Sequence, residues 1–341
     1  MREITIREAL QEALREEMRR DSAVFVLGED IAQFGGAYKI TQGLLDEFGP
    51  ERVRNTPLVE AAIAGAALGA ALVGMRPVAE IMYSDFTPIA MEQIFNQVAK
   101  IRYMTAGSVK VPLVIRTPSG GGVSAGPHHS QSLEALFAHI PGLKVVMPST
   151  PYDAKGLLKS SIRDDNPVIF IETKRLYGLK GMVPEEEYLV PLGKAEVRRE
   201  GSDITIIAIA RMINRALQVA EVLEKEGISS EVIDPRTLIP LDEDTIINSV
   251  KKTSRALIVH EACRTGGFGA EIAARIADKA FSYLNAPIKR VGTLDCLIPF
   301  SPKLEDYVIP NEHDIWAAAL EVMGIEFKDY PGERVVEAAA R

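Results

Sequence analysis

Between residues 61 and 75 the chain runs for fifteen residues without a single polar side chain. Its alanine and leucine content favours helix, and Pro57 suits the approach to a first turn. A helix apolar all round predicts burial on every side. Gly65 and Gly69, four apart on one face, predict the close approach of another backbone. The run is shorter than the roughly 20 residues of a bilayer span. Glu60 is thus a lone carboxylate at the mouth of a buried helix, where at the least it complements the positive helix N-terminus.

Elsewhere the pattern alternates between periods of 3.6 and short apolar runs. Apolar or small positions at Ile6, Ala9, Leu10, Ala13 and Leu14 predict a helix over 6–19. A buried strand follows at 24–27, and Gly28-Glu29-Asp30 stands at its C-terminal end, where ligands sit in parallel α/β sheets. Gly35 to Tyr38 reads as a turn. Next come a strand at 77–82, a loop over 83–88, a helix over 90–104 and a strand at 111–116. A glycine-rich stretch, 117–131, passes into a helix beginning near Gln131. A strand at 144–148, a helix at 152–162 and a strand at 168–172 complete a first unit. Strand–helix alternation predicts a parallel, helix-covered sheet. Residues 180–203 are charged, proline-bearing and aperiodic, and mark a boundary. A second unit repeats the alternation: strands at 204–210, 230–234 and 256–260, and helices at 213–225, 242–251 and 270–281. The fold class is therefore α/β with two parallel-sheet domains, expected at 1–185 and 203–327. A linker over 186–202 and a tail over 328–341 complete the division.

Composition narrows the function. Of 341 residues, 47% are apolar, enough for a core in each unit, and 25% are charged. The net charge is −8 and no run of Lys or Arg exceeds two, which argues against nucleic-acid binding through phosphate neutralisation. The opening segment is charged and amphipathic, with no apolar signal core, so neither export nor a membrane is expected and the cytoplasm is the default compartment. Cys263 and Cys296 offer neither a disulfide framework nor paired metal spacing.

Three motifs invite chemistry. The 117–131 stretch lacks the Lys-Ser/Thr ending of a P-loop and the spacing of a dinucleotide fingerprint, so it is not a phosphate cradle. It ends in His128-His129-Ser130, imidazoles placed either for catalysis or for hydrogen bonding at a helix start. Gly266-Gly267-Phe268-Gly269 imitates a dinucleotide turn with the wrong spacing and no acid about 20 residues on, which argues against nicotinamide binding. His260-Glu261-Ala262-Cys263 lacks the second histidine of a His-Glu-x-x-His helix and reads as strand-end coincidence.

The glutamate-and-glycine pattern Glu60, Gly65, Gly69 resembles the motif of thiamine-diphosphate enzymes on the domain that holds the cofactor's pyrimidine ring. The flanking text carries the likeness further, in family order: Gly28-Glu29-Asp30, Asn55 to Glu60, Arg76 to Glu80, His129-Ser130-Gln131, Pro141 to Val146 and Leu238 to Asp242. Over about residues 3–325 the chain resembles the beta subunit of the thiamine-dependent first component of 2-oxo acid or acetoin dehydrogenase complexes. The resemblance implies a transketolase-like pyrimidine-binding domain followed by a transketolase C-terminal domain. It implies that Glu60 hydrogen-bonds a ring nitrogen and favours the imino tautomer that deprotonates the thiazolium carbon. Phe86 matches an aromatic packed on the pyrimidine ring and Leu58 a contact beside it. Glu29 matches a second carboxylate near Glu60, where like charge perturbs carboxyl ionisation. His129 matches an active-site histidine that assists substrate binding and proton transfer or reductive acylation; His128 replaces the family's usual glutamine, and either imidazole could face substrate. Ile89 stands where some members have glutamine. Leu113, Ser161, Ile162, Asp164 and Asn166 match a structural potassium site built mostly from backbone oxygens.

No Gly-Asp-Gly, the start of the magnesium–diphosphate motif, occurs in the chain. The resemblance therefore implies half an active site, completed by an alpha subunit that supplies Mg2+ and the diphosphate grip in an α2β2 heterotetramer, with the Gly65/Gly69 face suited to subunit packing. A lipoyl-bearing dihydrolipoyl acyltransferase core is the implied acyl acceptor. Thr150 to Gly156 and Leu176 to Gly181 are nearest the acetoin and bacterial pyruvate members, and His128-His129-Ser130 the branched-chain type, so the substrate is left open among the three. The enzymatic alternative is half of a transketolase or deoxyxylulose-phosphate synthase. Retention of Glu60, Phe86 and His129 together argues against a non-catalytic scaffold.

Overall fold

The computed structural model describes residues 1–332. Seven strands form the first sheet, in the order Thr237–Ile239, Lys144–Val146, Val168–Thr173, Val114–Ser119, Arg76–Glu80, Val24–Gly28 and Val53–Asn55. All neighbours are parallel except the antiparallel edge strand Thr237–Ile239. The second sheet has five strands, ordered Lys289–Thr293, Ala256–Cys263, Ile204–Ala208, Ser230–Asp234 and Glu196–Arg199, the last antiparallel. Central strands such as Val168–Thr173 are buried throughout, as parallel strands covered on both faces must be.

The stretch read as aperiodic connector contributes at both ends. Lys180–Val183 pairs with Arg2–Thr5 as a separate ribbon, and Glu196–Arg199 is an edge strand of the second sheet. An edge strand needs only one hydrogen-bonded neighbour and tolerates charge, so its pattern carried no apolar signal. Thr237–Ile239, from the second half of the chain, closes the first sheet. One apolar core accordingly runs from Ile63, Ala67 and Ile94 through Ile169 to Ile207, Ile233 and Ile258.

The organising helix spans Glu60–Leu72 and departs from expectation. Ile63, Ala64, Ala67, Leu68 and Ala71 are buried on the sheet, but Ala62, Ala66, Gly69 and Leu72 are exposed, and Val73 just beyond is 81% exposed. Among the described residues no atom lies within 4 Å of a Cβ built on Gly69, and Gly65 meets only the Gln93 side chain. A helix lying on one sheet buries one face; among the described residues nothing covers the other. The 90–104 helix is instead a 3₁₀ turn over Ser84–Ala90, a wide π-helical stretch over Glu92–Val98 and a short helix Ile101–Met104. The strand expected at 111–116 starts at Val114, since Pro112 has no amide for a ladder. The helix expected from Gln131 starts at Glu134, because the Gln131 amide and side chain both donate to Asp85 Oδ1, at 3.1 and 3.0 Å. Of the expected tail, Lys328 accepts a 2.8 Å hydrogen bond from Trp316 Nε1, and Tyr330 packs buried on that indole; residues 333–341 lie outside the described residues.

Candidate active site

Two neighbouring parallel strands set the acidic part of the site. Val24–Gly28 delivers Glu29 at its C-terminal end, and Val53–Asn55 leads to the helix that begins at Glu60. The turns are tied together: Thr56 N donates to Gly28 O at 2.9 Å, and Asn55 Oδ1 accepts from Ala32 N at 2.8 Å. A side chain at Gly28 would run into the Glu80 carbonyl at 2.7 Å. Glu60 is 9% exposed, and among the described residues its carboxylate has no hydrogen-bonding or ionic partner. The Glu29 carboxyl is pushed up, first by burial and then by the charges of Asp30 and Glu60. A buried carboxylate with no protein partner fits a ligand that brings a protonated or N–H edge, as an aminopyrimidine does.

Aromatic rings form the second part. Tyr83 and Phe86 lie at the start of the 3₁₀ segment with centroids 5.5 Å apart, and His129 packs edge-on against both, at 4.6 and 5.5 Å. Tyr38 joins from the Gly35–Gly36 turn, 6.1 Å from Tyr83 and 4.9 Å from Tyr177. His129 is thus the imidazole gathered into the cluster, while His128 is exposed. Phe86 is half-buried, whereas Leu58 is 71% and Ile89 59% exposed.

Beneath the rings runs a row of charge on three adjacent strands. Arg116 binds Glu80 at 2.8 Å and grips Glu172 with two hydrogen bonds, at 2.7 and 2.9 Å. Tyr177 Oη donates to Glu172 Oε2 at 2.7 Å. Burial holds the Glu80 carboxyl above the usual range despite Arg116. None of these residues was singled out from sequence, although a charge in each of three apolar strands is a readable signal. Lys174, also unforeseen, is fully buried and donates to the His129 carbonyl.

The glycine-rich stretch does not cradle phosphate, because the chain's own acids take its amides. Gly121 N donates to Glu261 Oε1 at 2.6 Å, and Gly122 N and Ser124 N donate to Glu305 at 2.8 Å each. The Gly266–Gly269 cluster has a packing cause: Cβ atoms built on Gly267 and Gly269 would each fall 2.5 Å from the ring of His260. That imidazole is fully buried, and burial pushes its pKa down to about 4. His260 and Cys263 do not belong to a metal cluster; among the described residues no group of three or more His, Cys, Asp or Glu is arranged to hold one. No described helix is long and apolar enough to cross a membrane.

The residues matched to potassium lie together, away from the rings. Arg76 Nη1 donates to the Ile162 and Asp164 carbonyls at 2.9 and 3.2 Å, and Lys144 binds the Asp164 carboxylate. Leu113 O accepts from Val168 N, Ser161 O from Asp164 N, and Asn166 binds Asp164 Oδ1. Cationic side chains therefore stand where that ion is implied.

The two linked α/β units match, in order, the two domains of a transketolase-like protein. The description "Transketolase, pyrimidine binding domain" matches residues 2–180, and "Transketolase, C-terminal domain" residues 193–315. A solved chain described as a split-gene transketolase, inactive beta4 tetramer, shares the fold with a TM-score of 0.78 at 24% identity, covering 94% of this chain and 99% of that one. The chain belongs to the beta-subunit family of the first components of 2-oxo acid and acetoin dehydrogenases. It is 50% identical to the 2-oxoisovalerate dehydrogenase subunit beta of Bacillus subtilis, over 92% of this chain and 97% of the relative. Identity is 46% to the acetoin:2,6-dichlorophenolindophenol oxidoreductase subunit beta of the same organism (95% and 98% covered). It is 48% to the pyruvate dehydrogenase E1 component subunit beta of Rickettsia felis (94% and 98%).

Proposed function

We propose that the chain is the beta subunit of a thiamine-diphosphate-dependent 2-oxo acid or acetoin dehydrogenase, forming the pyrimidine-holding half of its active site. The observation that carries this reading is the buried Glu60 carboxylate, which has no hydrogen-bonding or ionic partner among the described residues and stands beside Glu29. Thiamine diphosphate, when bound, supplies an acidic carbon and an electron sink for cleavage next to a carbonyl. Glu60 would hold a proton on the pyrimidine nitrogen; charge in a dry setting makes that hydrogen bond strong. Phe86 would offer its ring to the pyrimidine, with Leu58 completing the wall once a partner covers it. Glu29, pushed up by burial, by Asp30 and by Glu60, would stand beside that contact. His129, set by Tyr83 and Phe86, would orient the substrate and move a proton at its carbonyl oxygen. The absence of Gly-Asp-Gly supports an alpha subunit that binds Mg2+ and the diphosphate, in an α2β2 assembly. A lipoyl-bearing acyltransferase core would take the acyl group.

The test is turnover of the co-expressed pair on pyruvate, 2-oxoisovalerate and acetoin with a dye acceptor, and sugar phosphates as the contrasting substrates. Glu60→Gln should cut turnover by roughly 10²–10⁴-fold, the usual scale for an acid–base group. Turnover unchanged by that substitution removes the role assigned to Glu60. Activity on sugar phosphates alone would move the chain to the transketolase side of the fold.

A further inference from the structure

The loop that carries His129 is held at both ends by carboxylates. At its start Glu261 and Glu305 take the amides of Gly121, Gly122 and Ser124; at its end Asp85 takes that of Gln131. His129, near the tip, is held differently. Its amide reaches Gly126 O at 3.4 Å, and among the described residues its ring makes aromatic contacts but no hydrogen bond. The strong grip on it comes from Lys174, the first residue of the short turn Lys174–Leu176 after strand Val168–Thr173. Lys174 is fully buried, its Nζ donates to the His129 carbonyl, and the same ammonium lies 5.4 Å from the centroid of the Tyr83 ring. One cation thereby bonds the backbone of His129 and stands over the ring that His129 packs on. We propose that Lys174 is a positioning residue, which fixes the His129 imidazole among Tyr83 and Phe86.

The proposal rests on the active-site reading of His129. Charged groups from four directions face the ammonium: Asp85 from the 3₁₀ segment, Glu261 from strand Ala256–Cys263, Glu305 from helix Pro302–Val308, and Arg211 ahead of helix Met212–Lys225. Burial and Arg211 favour the neutral amine, and the three carboxylates favour the cation; burial prevails, and the pKa comes down to about 8. Below that pH the hydrogen bond to His129 is charge-assisted, and above it that assistance is lost. Arginine keeps its charge throughout.

The experiment compares Lys174→Met and Lys174→Arg with the parent, first as the full chain by amide hydrogen exchange. The Met variant should speed exchange at 126–131 by about tenfold to a hundredfold, the scale of one lost charge-assisted hydrogen bond, and leave strand Val114–Ser119 unchanged. In the reconstituted enzyme it should lower kcat more than it raises KM and erase a fall in kcat centred near pH 8, and Lys174→Arg should restore kcat. Unchanged loop exchange in the Met variant, or equal acceleration in Val114–Ser119, overturns the proposal. His129→Gln is measured alongside. Should it leave turnover intact, the active-site reading of His129 fails; should it impair turnover while Lys174→Met does not, only the positioning role fails.

Discussion

The imidazole of His129 meets the ring of Tyr83 edge to face, with centroids 4.6 Å apart and planes at 88°. This contact orients a histidine whose ring has no hydrogen-bond partner in the described chain. Tyr83→Leu should therefore lower kcat of the reconstituted enzyme by about tenfold to a hundredfold, the penalty for a misplacement of about 1 Å. Tyr83→Phe keeps the ring and should stay within a few-fold of the parent. Steady-state kinetics of the two variants checks the pair.

Among the described residues the Glu60 side chain makes no hydrogen bond or ion pair, and its charge adds to burial and Asp30 in raising the Glu29 carboxyl. Glu60→Gln should thus leave the urea-unfolding free energy of the isolated chain unchanged or raised by up to about 1 kcal/mol. A loss of more than about 1 kcal/mol would make Glu60 a structural residue.

Glu134 is 1% exposed with Oε2 unpartnered. Burial, with a smaller push from Glu261, takes its pKa up from 4.5 to about 7. Because the fold favours the protonated form, this contribution is fully present below pH 4.5 and is lost as pH rises through 7. The loss is about 3 kcal/mol by linkage. Glu134→Gln should therefore be more stable relative to the parent at pH 8 than at pH 4.5, by about that amount. Paired denaturant titrations at the two pH values measure it.

The ring of His260 fills the space that a side chain on Gly269 would need, with 2.5 Å between the built Cβ and Cδ2. Gly269→Ala should destabilise the chain by about 1–3 kcal/mol through overpacking. Combined with His260→Ala, which vacates that space, much of the loss should vanish, giving a coupling of about 0.5–3 kcal/mol in a double-mutant cycle. Additive effects would mean that the glycine serves something other than the imidazole.

The legible parts of this molecule are those in which a local pattern has a local cause. The apolar strand at 168–172 and the amphipathic helix at 6–19 follow from side-chain period alone. The placing of Glu29 after a strand and of Glu60 before a helix follows from chain order. Arg116 is the contrary case. Its strand could be read from the apolar run, but its partners Glu80 and Glu172 come from strands far apart in the chain, and only the sheet order makes them neighbours. The exposure of the 62–73 face of the organising helix in this chain is not legible in sequence, because composition records that a side chain is apolar, not whether another surface lies against it.

By itself the sequence determined the alternation of strands and helices, the acid at the mouth of an alanine-rich helix, and the lack of a diphosphate motif. All are properties of residues near one another along the chain. Only the tertiary structure decided that His129 rather than His128 enters the aromatic cluster, that Lys174 holds it, and that Glu261 and Glu305 from the second unit take the amides of the glycine-rich loop. The hydrogen bonds among them join residues from 45 to 183 positions apart. Spacing along a chain cannot encode such a distance in space; the packing of two sheets on one core sets it.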